Sequence, residues 1–420
     1  MTHRLLSLST LYPAPQRPGF GRFVQNQMEA LARRGDWDVT VINPIGLPPL
    51  LRLARYAALR MIPAEEQSNG VAVHHPRFAL VPGLSGRFNP ALIARAVLPL
   101  ARRLHAKTPF DMVDAQFFYP DGPAAAQIAR ALGLPLAIKA RGGDILHWGT
   151  VPAARAQIRQ AAAQAGVLLT VSQALERDMV ALGLPETRIQ VHYTGLDHAR
   201  FYPRPRPAAR AELARRLPAL ALPADARIVA CVGNLIPIKG QILAIAALTY
   251  LPDDVMLVLI GGGPDEAGLR REVRDLGLDS RVCFAGALGH DDLPLMLSAA
   301  EAMVLVSERE GLANAWIEAL ACGAPIVISD VGGAREVVSA DATGHVVARD
   351  PAAIAQALRK VLAARIPQAQ VAVAAARFSW DNNAARLARI YTSLIHSKSE
   401  RVEASGAFGV GGGIARDETF

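Results

Sequence analysis

The chain has 420 residues, 51% of them hydrophobic and 20% charged, a balance that excludes a disordered polypeptide and allows two or three domains with buried cores. No apolar run reaches the roughly 18 residues of a membrane-crossing helix. Cys231, Cys283 and Cys322 lie far apart among apolar neighbours, which reads as buried thiols and excludes a disulfide framework. The formal charge of +8 favours anionic partners, whether nucleic acid, phosphorylated metabolites or anionic lipid.

The opening "MTHRLLSLSTLYP" is too short for the apolar region of a signal peptide and reads as a first strand, so the protein is expected in the cytoplasm. Strand-length apolar runs then alternate with helical patterns: "DVTVINP", "VAVHHPRF", "DMVDAQF", "PLAIKARG", "GVLLTVS" and "IQVHYTG". This alternation predicts a parallel sheet covered by helices on both faces over residues 1–200. Within it, "RPGFGRF" puts Gly19 and Gly21 in a flexible turn before a helix. Residues 48–63, "PPLLRLARYAALRMIP", form a short basic amphipathic segment, suited to an anionic membrane surface or to packing on the domain. "KARGGDIL" puts Arg141, Gly142, Gly143 and Asp144 at the end of the fifth strand. There they are turn residues or one wall of a cleft, with Asp144 as a base or a ligand of an acceptor hydroxyl.

Residues 201–224, rich in proline and arginine, read as a linker with a solvated connecting helix. The alternation restarts over 225–378 with "RIVACVGNL", "VMLVLIGGG", "RVCFAGAL", "EAMVLVS", "PIVISDVGG" and "GHVVA". The fold class is therefore α/β, two doubly wound domains facing across a cleft, with ligands at the carboxyl ends of strands. Residues 379–396, "SWDNNAARLARIYTSLIH", have helical spacing and predict a terminal helix crossing back to the first domain. Residues 397–420 lack periodicity and are expected to be a disordered tail.

The second half concentrates its unusual residues at strand ends. In "VGNLIPIKG", a glycine turn and Asn234 lead to Lys239 at a helix start, in a chain whose other lysines are only Lys107, Lys139, Lys360 and Lys398. A helix N-terminus with an ammonium beside it is a phosphate site; a solvated turn lysine is the alternative. The spacing is not that of a Walker loop, and the first strand lacks the three-glycine fingerprint of a dinucleotide-binding dehydrogenase. "LIGGGPDEAGL" puts Gly262 and Gly263 where bare backbone lets a ligand approach, or where a tight turn needs them. In "EGLANAWIEALACG", Glu310 precedes a helix expected from about Leu312 to Ala321, Glu318 sits two turns in, and Gly323 ends it. Two carboxylates so placed can accept hydrogen bonds from vicinal hydroxyls of one ligand lying across the helix start.

Taken with "IGGGPDE", "FAGALGHDDLPLMLSAAEAMVLVS", "YTGLDHARF" and "DVGGAREVV", these motifs resemble, in order and spacing over residues 3–396, the retaining glycosyltransferases of family 4, which have the GT-B fold. Among these the chain looks most like enzymes of bacterial surface-polysaccharide assembly, including the teichuronic-acid type. The resemblance implies a nucleotide-diphosphate-sugar donor and a glycan or lipid-linked acceptor, with no cofactor and no protein-held metal. It implies that Lys239 binds the diphosphate, Glu318 the ribose and Glu310 the transferred sugar. The backbone after Gly311, at Leu312, Ala313 and Asn314, would face the phosphates, and the Gly19–Gly21 loop and acceptor pocket would come from the first domain. Three positions depart from the family pattern: Asn234 where many members have arginine, Arg141 where many have histidine, and Thr194 in place of an asparagine. Arg141 could instead pair with a phosphate. A nucleotide-sugar epimerase and a non-catalytic sugar- or nucleotide-binding protein share the fold and stay open as alternatives; nucleic-acid binding lacks a stacking-aromatic and basic motif.

Overall fold

The computed structural model describes residues 2–48, 56–81, 83, 85–220, 222–223, 225–289 and 291–407, with side chains to 398. The first half holds β1 (His3–Leu8), β2 (Trp37–Ile42), β3 (Ile45–Leu47), β4 (Glu65–Ser68), β5 (Val71–His74), β6 (Arg77–Ala79), β7 (Met112–Ala115), β8 (Leu136–Lys139), β9 (Val167–Thr170) and β10 (Ile189–Val191). The second half holds β11 (Arg227–Val232), β12 (Val255–Ile260), β13 (Val282–Gly286), β14 (Ala302–Leu305), β15 (Ile326–Ser329) and β16 (Gly344–Val347). An eight-stranded sheet runs β10-β9-β8-β7-β1-β2-β5-β4, a six-stranded sheet runs β13-β12-β11-β14-β15-β16, and β3 and β6 pair separately. All neighbours are parallel except β4 and β5, which form an antiparallel edge. Strands such as "VMLVLI" in β12 are buried along their whole length, as expected where helices cover both faces.

Strand order reverses between β1 and β7 in the first sheet and between β11 and β14 in the second. Crossover connections leave in opposite directions there, opening a crevice beyond the strand ends. The loops after β11 and β14 carry Lys239 and Glu310, so both stand at the second sheet's switch point.

Helix Trp380–Ala407 returns to the first half. Leu387, Tyr391 and Leu394 pack with Val24, Trp37 and Val39 in one apolar cluster, and a Cβ on Gly195 would fall 2.4 Å from the Trp380 ring. Tyr391 closes on the sheet through its hydroxyl, which donates to Asp114 at 2.6 Å. The helix also runs eleven residues past the expected end at 396, so 397–407 are helical instead of disordered; 408–420 lie outside the described residues.

The stretch 201–224 also departs from expectation. Helix Arg206–Arg216 buries Ala209 and Leu213, and its Arg210 makes a two-pronged bond to Glu301 at 2.8 and 2.9 Å. Arg216 reaches Asp292 at 2.7 Å. The helix is thus part of the second domain's wall, because every third or fourth residue is apolar and its arginines have carboxylates to meet. Of the basic segment 48–63, residues 49–55 lie outside the described set and Ala57–Arg60 form a single helical turn. Cys231 and Cys322 are buried, whereas Cys283 is half-buried.

Candidate active site

The loop after β14 is built around Glu310. Its Oε1 accepts from Lys239 Nζ at 2.5 Å and from Ser307 Oγ at 2.7 Å. Both partners of the Lys239–Glu310 pair keep part of their surface open, so the pair is accessible to a ligand. Helix Asn314–Ala321 starts immediately afterwards, and no side chain caps it. Among the described residues the N–H groups of Leu312, Ala313 and Asn314 have no hydrogen-bond partner. A cation from the loop after β11 and three free N–H groups from the loop after β14, joined through Glu310, can together meet an anion. The helix begins two residues later than expected and ends as expected, with Gly323 at φ +80°.

Glu318 lies on the next turns of that helix and lines a cavity of about 900 Å³ with Asn314, Gly19, Arg22, Phe23 and Trp380. The cavity thus joins the glycine loop of the first domain to the second carboxylate. Burial pushes the Glu318 carboxyl up to about 7. A separate cavity of about 740 Å³ under helix Arg206–Arg216, lined by Leu213, Leu217 and Leu220, holds none of the groups singled out at the strand ends.

Several expected ligand contacts resolve into structural roles. Asp144 is fully buried. It accepts from the N–H groups of Phe118 at 2.6 Å, Gly142 at 2.8 Å and Arg141 at 3.0 Å, and burial raises its pKa. Its oxygens are used in fixing the Arg141–Gly143 loop, so it is neither base nor acceptor ligand. Arg141 is held over the Phe23 ring at 5.0 Å, its guanidinium donating to Gln116 Oε1 at 2.6 Å and to the Gln116 carbonyl at 3.2 Å. That leaves no free two-pronged face for a phosphate. Burial lowers its pKa to about 10. Gly21 is required at φ +70° because a Cβ would fall 2.5 Å from the Leu11 backbone. A Cβ on Gly263 would fall 2.2 Å from the Leu235 carbonyl oxygen, whereas one on Gly262 or Gly19 would meet open space. At Gly21 and Gly263 the neighbouring backbone by itself requires glycine. Asn234 is exposed, and its carbonyl accepts from Gln241 Nε2 at 2.9 Å.

Beneath Arg141 lies a buried polar network that the sequence did not signal. Lys139 Nζ meets Gln27 Oε1 at 2.9 Å and His192 Nδ1 at 2.6 Å. Gln116 links Gln27 to Asp114, at 2.9 and 2.6 Å. Burial lowers the Lys139 pKa far below its ordinary value.

The two domains touch at the head of the site. A Cβ on Gly311 would fall 2.6 Å from the Arg141 carbonyl oxygen, and one on Gly142 would fall 2.8 Å from Gly311 N. Ser172 Oγ, from the loop after β9, donates to the Gly311 carbonyl at 3.0 Å. Glu336, from the second domain, accepts from the N–H groups of Gln173 and Ala174 at 3.1 Å each and from the Tyr193 hydroxyl at 2.8 Å. Ser172 and Glu336 were missed; the only sequence signal was the "DVGG" turn that lets Gly332 and Gly333 fit against residues 310–312.

Two doubly wound sheets opposed at their strand ends, with a lysine and bare N–H groups at one switch point, define the architecture of GT-B glycosyltransferases. Residues 216–378 match the family described as glycosyl transferases group 1 and residues 19–195 the glycosyl transferase 4-like domain. A GDP-mannose-dependent alpha-(1-6)-phosphatidylinositol monomannoside mannosyltransferase of Mycobacterium tuberculosis is 30% identical over 334 residues, covering 75% of this chain and 82% of its own. A Bacillus subtilis glycosyltransferase assigned to teichuronic acid biosynthesis is 28% identical, covering 79% and 82%. The fold matches that of Anabaena HepE, solved with UDP and glucose, with a TM-score of 0.70 and 22% identity over 93% of this chain and 99% of that one. The chain belongs to the family 4 glycosyltransferases.

Proposed function

We propose that the protein transfers a sugar, with retention of anomeric configuration and without a metal ion or other cofactor, from a nucleotide-diphosphate sugar to a glycan or lipid-linked acceptor. The observation that carries this reading is the Lys239–Glu310 pair beside the free N–H groups of Leu312, Ala313 and Asn314. Breaking a glycosyl phosphate bond builds negative charge on the departing diphosphate. The N–H groups are fixed in advance where that charge would develop, which is where electrostatic stabilisation is most effective, and Lys239 is within a side-chain rotation of it from its pairing with Glu310. Glu318, in the cavity, takes the ribose hydroxyls, and Glu310 is left to the donor sugar once Lys239 turns to the phosphate. The acceptor enters from the first-domain side of the cavity, past Gly19 and Arg22. No helix among the described residues is long and apolar enough to cross a membrane; a cytoplasmic location with peripheral contact to anionic lipid suits a lipid-linked acceptor.

The test is transfer from UDP- and GDP-sugars to lipid-extracted acceptors, with the anomeric configuration of the product read by NMR. Lys239→Ala should reduce turnover on the order of a hundredfold, the scale of losing one transition-state donor, and chelator should leave the rate unchanged. Inversion, chelator sensitivity or undiminished transfer by Lys239→Ala would each refute the corresponding part. Sugar interconversion with donor alone would indicate an epimerase instead.

A further inference from the structure

The Gly311 carbonyl is held from both sides of the cleft. Gly333 N–H donates to it at 2.9 Å from within the second domain, and Ser172 Oγ donates at 3.0 Å from the first. A trans peptide is planar, with its C=O and N–H pointing in opposite directions. Fixing the Gly311 oxygen toward Ser172 and Gly333 therefore fixes the Leu312 N–H away from them. That N–H is the first of the three without a partner among the described residues.

Ser172 is itself set in place by its neighbours. Its Oγ accepts from Leu175 N at 3.1 Å, capping helix Gln173–Ala181, which directs the hydroxyl proton outward to Gly311. Glu336 reaches across from the second domain to take the first two N–H groups of the same helix, those of Gln173 and Ala174. Gly333 is required in this cluster, since a Cβ there would lie 2.7 Å from Leu312 Cδ1 and 3.1 Å from Ser172 Cβ.

We propose that Ser172 is a positioning residue for the donor: by holding the Gly311 carbonyl across the closed cleft, it aims the Leu312 N–H at the diphosphate, so that the first domain completes a phosphate site lying in the second. The proposal rests on the reading of Leu312–Asn314 as phosphate-binding N–H groups. It makes donor binding and domain closure one event, because the bond exists only when the domains meet.

The experiment compares UDP and GDP with uridine and guanosine, by calorimetry for the diphosphates and ligand-observed NMR for the nucleosides. Ser172→Gly removes the hydroxyl yet leaves a residue that is acceptable at a helix N-cap. It should weaken the better-binding diphosphate by about tenfold, the scale of one hydrogen bond, and leave its nucleoside unchanged. Ser172→Thr, which keeps hydroxyl and cap, should restore the wild-type value. In the wild type and in Ser172→Thr, the Leu312 amide resonance should shift on adding the diphosphate. Equal diphosphate binding by Ser172→Gly, or equal losses for diphosphate and nucleoside, would overturn the proposal. Failure of Lys239→Ala to weaken diphosphate binding would instead overturn the reading on which it rests.

Discussion

At neutral pH the Glu318 carboxyl is near the middle of its titration, because burial pushes it up to about 7. Ribose hydroxyls donate to an ionised carboxylate more strongly than to a protonated one. Affinity for an intact nucleotide sugar, whose own phosphates do not titrate in this range, should therefore rise as pH rises through about 7. Glu318→Gln should flatten that profile in a calorimetric titration. The stability effect has the opposite sign. A carboxyl with a raised folded-state pKa binds more protons folded than unfolded, so stability falls as pH climbs from its ordinary value through about 7. Asp121, buried against Thr10 and also raised to about 7, acts in the same direction. The melting temperature of the ligand-free protein should fall over that interval, and less so in Glu318→Gln. At this scale the sequence was informative where chemistry depends on near neighbours. Lys239, Glu310 and Glu318 stand at a strand end or helix start whose spacing is local. The role of Asp144 was not legible because, besides its near neighbours Arg141 and Gly142, it accepts from Phe118, 26 residues away, and Ser172 was silent because Gly311 is 139 residues away.

Helix Trp380–Ala407 brings its own test. The Tyr391 hydroxyl donates to Asp114, which also accepts from Gln116, while Asp114 Oδ1 has no partner among the described residues. Tyr391→Phe removes a donor from a buried carboxylate and should cost about 1–3 kcal/mol, seen in denaturant melts. The aromatic packing against Trp37, with centroids 5.9 Å apart, should persist. Strands buried on both faces were legible as continuous apolar runs, and all six runs read in the second half form strands. Helix Arg206–Arg216 was read as solvated because its composition is basic. What fixes it in place is Glu301 and Asp292, supplied by residues much later in the chain. A polar helix is assigned to solvent or to a wall by tertiary partners, which periodicity cannot report.

For the whole molecule, the contact between Gly142 and Gly311 gives the sharpest test of closure. Gly311→Ala would place a methyl 2.6 Å from the Arg141 oxygen across the cleft, whereas Gly143→Ala meets nothing within 4 Å. Gly311→Ala should hold the domains apart, increasing the radius of gyration in solution scattering and reducing transfer. Gly143→Ala should match wild type in both. The two-domain architecture was readable from the restart of strand alternation after residue 224; the way the halves touch was not, because it depends on backbone surfaces that carry no side-chain signature.

The chain crosses between its halves twice, and the crossings lie side by side: His198 meets the Phe378 carbonyl at 2.9 Å, Tyr193 stands edge-on to the Phe378 ring at 5.7 Å, and Asn383 donates to the Tyr193 carbonyl at 2.6 Å. A door hung on two adjacent pins swings about one axis and resists twisting. The same argument applies here: each swing would return Ser172 to the same Gly311 oxygen, and the halves would not have to search for their alignment between turnovers.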